Sequence, residues 1–336
     1  MVEATPDFSG IVAALREAGL VRSAAPGIRP LTGGVSSEIL LIDDWGRQFV
    51  VKRALAKLRV RDDWFADVSR NAVERRYLGV AAKIVPGGVP QVWFAHPTDG
   101  WFAMEFLGDG FSNWKSLLLE GRAEPAPAAR AGEVMGRIHR RTWGDANLAR
   151  EFSTVENFRQ LRLAPYLETT ADRVPELSEL LRAESARLAG TSLALVHGDF
   201  SPKNILLSPG RFVLLDAEVG WFGDPVFDAA FLLNHFFLKA LLHASKPEPF
   251  LALVPAFWTA YAMELGGKAD AELERRTVRL LLCLLLARVH GKSPVEYLPE
   301  PGSRTLVTEF VRKHLPQPPS QLAELTADWR AALLHR

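Results

Sequence analysis

The strand patterns of this chain lie almost entirely in its first third, and helical patterns fill most of the rest. One helical pattern, 66–82, separates two pairs of short apolar runs that end at turn residues. The runs are 39–42 and 49–51 around Asp43-Asp44-Trp45-Gly46, then 91–95 and 101–106 around Pro97-Thr98-Asp99-Gly100. This order predicts a small antiparallel sheet with one helix packed against it.

Beyond residue 107 the apolar spacing becomes helical, with a short strand-like interruption at 193–215. The predicted helices are 111–119, 128–141, 155–167, 175–188, 226–243, 250–265, 271–290, 303–314 and 321–334, after a first one at 7–20. We therefore predict an α+β fold with two lobes. The small sheet lobe covers 1–106, and the larger, mainly helical lobe covers 107–336.

Composition excludes several classes of protein. The 336 residues are 48% hydrophobic and 24% charged, which is ordinary for a globular chain. Forty Lys and Arg against 39 Asp and Glu argue against a dedicated nucleic-acid binder. Cys283 is the single cysteine, so it forms neither an intrachain disulfide nor a zinc cluster, and we expect it in the core. The longest apolar run, 280–287, is too short to span a bilayer, and no signal-peptide pattern opens the chain. We expect a cytoplasmic protein without a membrane partner.

The polar residues that suggest chemistry lie in the strand-like interruption. Two apolar runs, 205–207 and 212–215, flank Ser208-Pro209-Gly210-Arg211 and predict a hairpin. A turn centred on Gly210 would place Asn204 opposite Asp216, with Glu218 on the same side as Asp216.

Amide and carboxylate oxygens of this kind suit Mg²⁺. Asp199, on the loop that enters the hairpin, is placed to accept a proton from an attacking hydroxyl. His197 lies nearer the buried strand and is predicted to organise the loop. The alternative is a polar loop, a hairpin and an acidic loop that share no purpose.

The segment resembles the catalytic core of aminoglycoside phosphotransferases and choline-kinase-like enzymes, which are relatives of the protein kinases. The residues from His197-Gly198-Asp199 to Asn204 are similar to their catalytic loop, and Asp216 is similar to their second metal-binding aspartate. Asp216-Ala217-Glu218 resembles the Asp-x-Glu of methylthioribose kinases, and 221–228 resembles a Gly-Asp-Pro-x-x-Asp segment. The resemblance implies a protein-kinase-like fold with Asn204, Asp216 and Glu218 as metal ligands.

The resemblance also assigns roles in the front lobe. It implies that Lys52 holds the α- and β-phosphates and that Glu74 orients it. The alternatives are a solvated strand-end lysine and a surface carboxylate paired with Arg70. Further nucleotide-binding candidates are the phosphate-covering loop Gly33, Gly34, Ser36 and Ser37, and the adenine-holding hinge Glu105, Phe106 and Leu107. A buried strand end is the alternative to the hinge.

The sequence also departs from the motifs of related kinases, and these departures argue against some functions. His-Arg-Asp, Asp-Phe-Gly and Ala-Pro-Glu are all missing, which disfavours a protein kinase. Ser201-Pro202-Lys203 replaces the His-Pro-Gly of many antibiotic kinases, and Lys203 would face either the transferred phosphate or solvent.

The acceptor site is predicted on the helical lobe, with Trp221, Asp224, Asp228 and Arg288 as its candidate residues. Each of three has a structural alternative. Asp228 would cap a helix N-terminus, Trp221 would pack in the core, and Arg288 would bind carbonyls at a helix end.

These observations predict a small-molecule kinase that is a monomer or a homodimer. It would transfer the γ-phosphate of ATP (or GTP), with Mg²⁺, to a hydroxyl of a small metabolite or an aminoglycoside-like acceptor. Asp199, Lys52, Glu74 and His197 form the catalytic set. The alternative is a pseudokinase-like sensor that binds a nucleotide or metabolite without turnover.

Overall fold

The computed structural model describes residues 8–31, 37–55 and 69–334. The front part is a five-stranded antiparallel sheet in the order β1-β2-β3-β5-β4. Its elements are α1 (Ser9–Glu17), β1 (Gly27–Pro30), β2 (Ser37–Asp44), β3 (Arg47–Ala54), α2 (Arg70–Ile84), β4 (Val92–Ala95) and β5 (Trp101–Glu105). β1 was not predicted. It extends the sheet by pairing with β2.

Side-chain alternation divides the sheet into two faces with different partners. Leu41 and Val50 join Tyr77 of α2 in the large core that continues into the helical part. Leu40 and Val51 face the other way and join Leu15 of α1 in a small separate cluster. The helix behind the sheet is therefore the one that connects the front part to the rest of the molecule.

The rear part is mainly helical. Its helices are α3 (Trp114–Leu119), α4 (Pro125–Thr142), α5 (Ala146–Glu151), α6 (Val155–Phe158), a π-helix (Arg159–Glu168), α7 (Thr169–Arg173), α8 (Ser178–Ala189), α9 (Val226–Leu242), α10 (Glu248–Leu251), α11 (Leu253–Leu265), α12 (Ala271–His290), α13 (Pro301–His314) and α14 (Leu322–Leu334). Its strands are β6 (Ser112–Asn113), β7 (Ala194–Val196), β8 (Ile205–Ser208), β9 (Arg211–Leu214) and β10 (Trp221–Gly223), and one-turn 3₁₀ helices lie at Pro175–Leu177, Pro202–Asn204 and Gly266–Lys268. Within the described ranges, no helix combines the length and hydropathy that crossing a bilayer requires.

Two elements of the helical part differ from the predicted pattern. The predicted helix 155–167 is α6 followed by the π-helix, which contains Pro165. Proline has no N–H to donate, so the regular hydrogen-bond ladder cannot continue through it. The predicted helix 111–119 begins instead with Ser112–Asn113 paired to β8.

Close helix packing fixes the shape of the rear core. Helix α4 crosses α11 at Gly132 and Gly136, where side chains have no room. A Cβ at Gly132 would lie 2.8 Å from the backbone nitrogen of Tyr261, and one at Gly136 would lie 2.7 Å from Cβ of Glu264. Cys283 is fully buried in α12, as predicted, and burial raises the pKa of its thiol.

Candidate active site

The hairpin that positions the predicted metal ligands is β8–β9. Ser208 pairs with Arg211 and Ile205 with Leu214, so the loop consists of Pro209 and Gly210. The predicted register was wrong by one residue, because the turn is centred between these two residues and not on Gly210. Asn204 therefore lies opposite Leu215, whose N–H donates to the Asn204 carbonyl at 2.8 Å.

Asp216 follows one residue beyond that pair, in a backbone conformation that L-residues rarely adopt. Its φ is +66°, in the left-handed region where aspartate is several-fold enriched among non-glycine residues. The chain turns sharply there, and the Asp216 carboxylate meets Lys52 from the front sheet. Such conformations cluster at functional sites.

Buried Lys52 and Glu74 form, with half-buried Asp216, an ionic group that we call the front cluster. The Lys52 ammonium donates to the Glu74 carboxylate at 2.7 Å and to Asp216 at 2.5 Å. Lys52 is only 3% exposed and Glu74 1%. The alternatives of a solvated strand-end lysine and a surface carboxylate are therefore wrong. Residues from β3, α2 and the segment after β9 converge on this point.

The pKa values of the front cluster follow from burial and mutual charge. Burial alone would lower the pKa of Lys52, but the Asp216 and Glu74 carboxylates outweigh it and raise that pKa. Burial would raise the pKa of Asp216, but Lys52 and Lys203 hold it well below its usual range. Burial raises the pKa of Glu74 to about 7, against the attraction of Lys52. Lys52 and Asp216 are therefore both ionised at neutral pH.

Glu218 is the third predicted metal ligand, and it also contacts α2. Its carboxylate accepts a hydrogen bond from the Arg70 Nε at 3.0 Å, and both residues are buried. Arg70 lies one helical turn before Glu74, so the same face of α2 carries the partner of Glu218 and the partner of Lys52. Glu218 is near enough to Lys52 to contribute to raising its pKa.

Asp228 anchors the loop from His197 to Asp199 through hydrogen bonds to its backbone. The carboxylate of Asp228 accepts hydrogen bonds from the backbone N–H of His197 at 2.7 Å and of Gly198 at 2.9 Å. Asp228 is completely buried in the first turn of α9, beneath the loop. It neither lines an acceptor wall nor caps the helix, whose N-cap position is Pro225. Asp228 is therefore neither the acceptor-site residue nor the helix cap that the sequence suggested. It positions the loop.

His197 has both ring nitrogens engaged by backbone groups of the site. Its Nδ1 accepts from the Asp199 N–H at 3.2 Å, so its Nε2 carries the proton and donates to the Leu215 carbonyl at 3.1 Å. Burial lowers the pKa of His197 and favours the neutral ring. This histidine joins the catalytic loop to the end of the hairpin. Its geometry is that of the predicted loop organiser.

Asp199 faces two cations. One carboxylate oxygen lies 3.0 Å from the Arg162 guanidinium and 2.9 Å from the Lys203 ammonium. Burial would raise the pKa of Asp199, but Lys203 and Arg162 outweigh it and lower that pKa. The Lys203 side chain is half exposed, with its ammonium on Asp199. The backbone carbonyl of Asp199 accepts from the Asn204 side-chain amide at 3.0 Å.

Arg162 is a site residue that sequence reasoning missed. It lies on the π-helix, is buried, and also donates to the Gly198 carbonyl at 2.5 Å. Its part of the sequence shows only a helical pattern, so no local signal marks it.

A cavity of about 180 Å³ opens beside Asp199 on the helical side. Arg288 lines it while donating to the Ser293 carbonyl just beyond the end of its helix, and the other lining residues include Lys115, Tyr166, His235, Lys239 and Tyr297. The last five were not predicted. The available signal was the pair His235 and Lys239, which lie four residues apart in the mostly apolar helix α9.

Trp221 and Asp224 lie outside this cavity. Trp221 is buried and stacks on Phe158 with ring centroids 4.1 Å apart, which agrees with the packing alternative. Asp224 is fully buried, binds Arg187, and accepts from the Val226 N–H at 3.2 Å at the start of α9. The prediction that both form the acceptor wall is corrected, because neither reaches the cavity surface.

The structure describes only some of the residues predicted to form the phosphate-covering loop. Gly33, Gly34 and Ser36 lie outside the described residues. Ser37 is the buried first residue of β2, opposite Ala54.

The hinge candidate is the end of β5. The Glu105 carboxylate accepts two hydrogen bonds from Arg211 at 2.6 and 2.9 Å, which ties the sheet to the hairpin. These bonds lower the pKa of Glu105. Phe106 and Leu107 follow it, each partly exposed.

The donor set at the open end of the hairpin fits a hard cation. The Asn204 amide nitrogen is committed to Asp199, which leaves its amide oxygen as the available ligand. Asp216 and Glu218 add carboxylate oxygens. Among the described residues, no group of three His, Cys, Asp or Glu side chains is arranged to hold a metal alone. An ion here would need further oxygens, as Mg²⁺ commonly takes from phosphates.

Comparisons with known proteins agree with this geometry. The model of the phosphotransferase enzyme family matches residues 27–262. The methylthioribose kinase of Pectobacterium carotovorum is 25% identical over 258 residues, covering 66% of this chain and 64% of the relative. That of Yersinia enterocolitica is 24% identical over 217 residues, covering 56% and 54%. The match thus spans between about half and two thirds of these relatives' length.

Solved structures show the fold. An amicoumacin kinase superposes with a TM-score of 0.54 at 15% identity, covering 94% of this chain and 96% of its own. An aminoglycoside phosphotransferase of Alicyclobacillus acidocaldarius gives 0.53 at 15% identity, covering 99% and 97%. The predicted α+β, kinase-like architecture is confirmed.

Proposed function

Because the chain belongs to the phosphotransferase enzyme family, we propose that it is a small-molecule kinase. It transfers the γ-phosphate of ATP (or GTP) to a hydroxyl of a small acceptor in the cytoplasm. One observation carries the proposal. The catalytic loop presents Asp199 to a cavity, while the hairpin that follows brings Asp216 to Lys52 in the front cluster.

The front cluster serves the nucleotide end of the reaction. Lys52, held by Glu74, presents a fixed positive charge to the phosphates. Asn204, Asp216 and Glu218 are the residues that would hold Mg²⁺. The ion, when bound, neutralises phosphate charge. Glu105, Phe106 and Leu107 form the proposed hinge for the adenine edge.

Asp199 serves the acceptor end. Its carboxylate accepts the hydrogen bond of the attacking hydroxyl and takes the proton as the new O–P bond forms. Arg162 and Lys203 fix the orientation of that carboxylate and keep it ionised. With its pKa lowered, Asp199 acts mainly by orienting the hydroxyl. Positioning of this kind supplies most of the catalysis in phosphoryl transfer.

The relatives support this assignment. The curated relatives are named kinases. The amicoumacin kinase of similar fold was solved in complex with AMP-PNP and Ca²⁺. Both facts agree with a nucleotide and a divalent cation as the cofactors of this chain.

The test is mass spectrometry of a pool of hydroxylated metabolites, incubated with the protein, Mg²⁺ and ATP or GTP. We expect one compound to gain a phosphate with the wild type and with Asp172→Asn, a variant of an exposed aspartate on α7. Asp199→Asn should lower the transfer rate by about 100-fold or more while nucleotide binding stays normal. Substantial transfer by Asp199→Asn would contradict the base assignment. Nucleotide binding without any phosphorylated product would favour the sensor alternative.

A further inference from the structure

The cavity beside Asp199 contains a buried cation that forms no ion pair with any carboxylate of the described residues. Lys239, on α9, is completely buried, and its ammonium has no hydrogen-bond partner among the described residues. It lies 4.6 Å over the ring of Tyr297, a contact that attracts the ammonium but does not neutralise it. A buried charge without a counter-ion is costly, so its presence needs an explanation.

Arg288 is the second such cation. Its guanidinium donates to the Tyr166 hydroxyl at 3.1 Å and to the Ser293 carbonyl at 2.6 Å, all neutral partners. Its Nε is buried and has no partner in the described part of the chain. The same holds for Nδ1 of His235 and the hydroxyl of Tyr297, which also line the cavity. Four polar side chains of the cavity therefore keep unused hydrogen-bonding groups.

The two carboxylates of the cavity are already neutralised. Asp199 is paired with Arg162 and Lys203, and Glu296 is paired with Lys115. Glu296 attracts Lys239 and Arg288 from a distance, but no described carboxylate forms an ion pair with either. Burial, with repulsion from Lys115 and Arg288, lowers the pKa of Lys239 to about 7, and the attraction of Glu296 only partly opposes this. An anion placed between the two cations would remove this repulsion.

We propose that the acceptor carries a compact anionic group, a carboxylate or a phosphate, held by Lys239 and Arg288 with His235 and Tyr297. This inference rests on the proposed function and names the substrate class of the same site. The acceptor's hydroxyl is presented to Asp199, which takes its proton as the oxygen attacks the γ-phosphorus and the nucleoside diphosphate leaves.

The size of the cavity favours a small acceptor. Its volume of about 180 Å³ is below the roughly 300–1,000 Å³ of pockets for drug-sized ligands, which suits a hydroxy acid or sugar derivative of a few carbons. A polycationic aminoglycoside would place ammonium groups against Lys239 and Arg288, and like charges at short range disfavour binding.

Helix α9 gives the anion site a fixed position relative to the chemistry. Phe231, His235 and Lys239 follow at four-residue intervals and share one face that lines the cavity. Asp228 in the first turn of the same helix holds the catalytic loop. One rigid element therefore connects the anion site to the loop of Asp199.

The test is calorimetric binding to the full chain without nucleotide, using acceptors that differ only in charge. The probes are glycerol, glycerate and glycerol 3-phosphate, and glucose, gluconate, glucose 6-phosphate and glucosamine. We expect an anionic member to bind at least tenfold more tightly than its neutral or amine counterpart. A preference for carboxylates or for phosphates then identifies the anion. Equal or tighter binding of the neutral or amine members, or no binding of any anion at millimolar concentration, would overturn the proposal.

A substitution locates the site. Lys239→Met keeps the volume of the side chain and removes the charge, so the protein should stay folded. We expect it to weaken binding of the anion by about 30-fold or more, because a buried charge pair loses one partner. Lys246→Met, at an exposed lysine beyond the end of the same helix, should bind as the wild type does. Retained anion preference in a folded Lys239→Met variant would overturn the assignment.

This outcome is independent of the proposed kinase activity. Binding without nucleotide does not require transfer, so anion binding with no phosphorylated product would contradict the proposed function alone. Transfer to a neutral or cationic acceptor would contradict the anion site alone.

Discussion

The front cluster and the cavity beside Asp199 both bury a lysine, yet the two lysines are in opposite electrostatic situations. Lys52 lies between the carboxylates of Glu74 and Asp216, and its pKa is raised. Lys239 has no carboxylate partner in the described ranges, and its pKa is lowered to about 7. Both are almost completely removed from water. The presence of a counter-ion, and not the depth of burial, decides the sign of the shift.

The difference shows how the molecule is prepared at each end of the reaction. The front cluster is neutralised internally, so its geometry is assembled before any ligand arrives. The cavity keeps two cations and several polar groups unused, so its electrostatics are completed by a ligand. Buried ion pairs hold elements together, whereas a buried unpaired charge marks a place where an opposite charge binds.

The largest effect should follow from Lys52→Met. Removing the cation leaves buried Glu74 and half-buried Asp216 without their shared partner, which should cost about 3 kcal/mol in the free energy of unfolding. Transfer should fall by about 100-fold or more, because the phosphates lose a fixed charge. Denaturant unfolding and initial rates measure the two effects. The double variant Lys52→Met/Glu74→Gln should recover stability but not transfer. Recovery of both would show that Lys52 is only structural.

The second effect concerns the loop that joins the two regions. Asp228→Ala leaves the N–H groups of His197 and Gly198 without acceptors, at about 1–3 kcal/mol each. We expect lower stability, faster amide exchange at 197–199 and a drop in kcat larger than the change in KM. Asp228→Asn keeps one acceptor oxygen and should lose less. Unchanged exchange at these amides in Asp228→Ala would contradict a positioning role.

An effect of opposite sign is expected for the stability of Lys239→Met. Because the pKa of Lys239 is about 7 in the folded protein against an ordinary value of 10.5, the unfolded chain binds more protons between these values. Stability of the wild type should therefore rise with pH across this window, by at most about 1.4 kcal/mol per pH unit from this group. Lys239→Met should lack this rise and be more stable than the wild type at pH 6. Thermal unfolding from pH 6 to 10 measures it. A variant less stable than the wild type at pH 6 would show that Lys239 has a stabilising partner.

Much of the fold could be predicted from the sequence, because turns and helices follow from residues that are close together in the chain. The hairpin turn at Trp45-Gly46 and the long helix Ala271–His290 follow from turn residues and apolar spacing, and both are where the sequence predicts them. The register of β8–β9 was not readable to one residue, because the residues around Gly210 allow more than one turn centre. The same limit made the predicted position of Asp216 wrong by one.

The roles of polar residues were harder to read, because they depend on distant partners. Asp228 lies at the start of a helix, as a helix cap would. Its carboxylate oxygens instead accept hydrogen bonds from a loop about 30 residues earlier in the chain. Arg162 carries no motif, yet it binds Asp199. Trp221 was as compatible with a pocket wall as with the core. Spacing alone does not show which elements pack together.

The sequence by itself determined the sheet and helix division and the hairpin with its candidate oxygen ligands, and the family resemblance picked out the lysine, glutamate and aspartate that meet in the front cluster. These follow from short-range patterns and from a motif whose spacing is set by one loop and one hairpin. Only the tertiary structure decided which charges are neutralised. Lys52 and Lys239 are the same residue in the sequence, and they differ because carboxylates from other elements fold against one and not against the other.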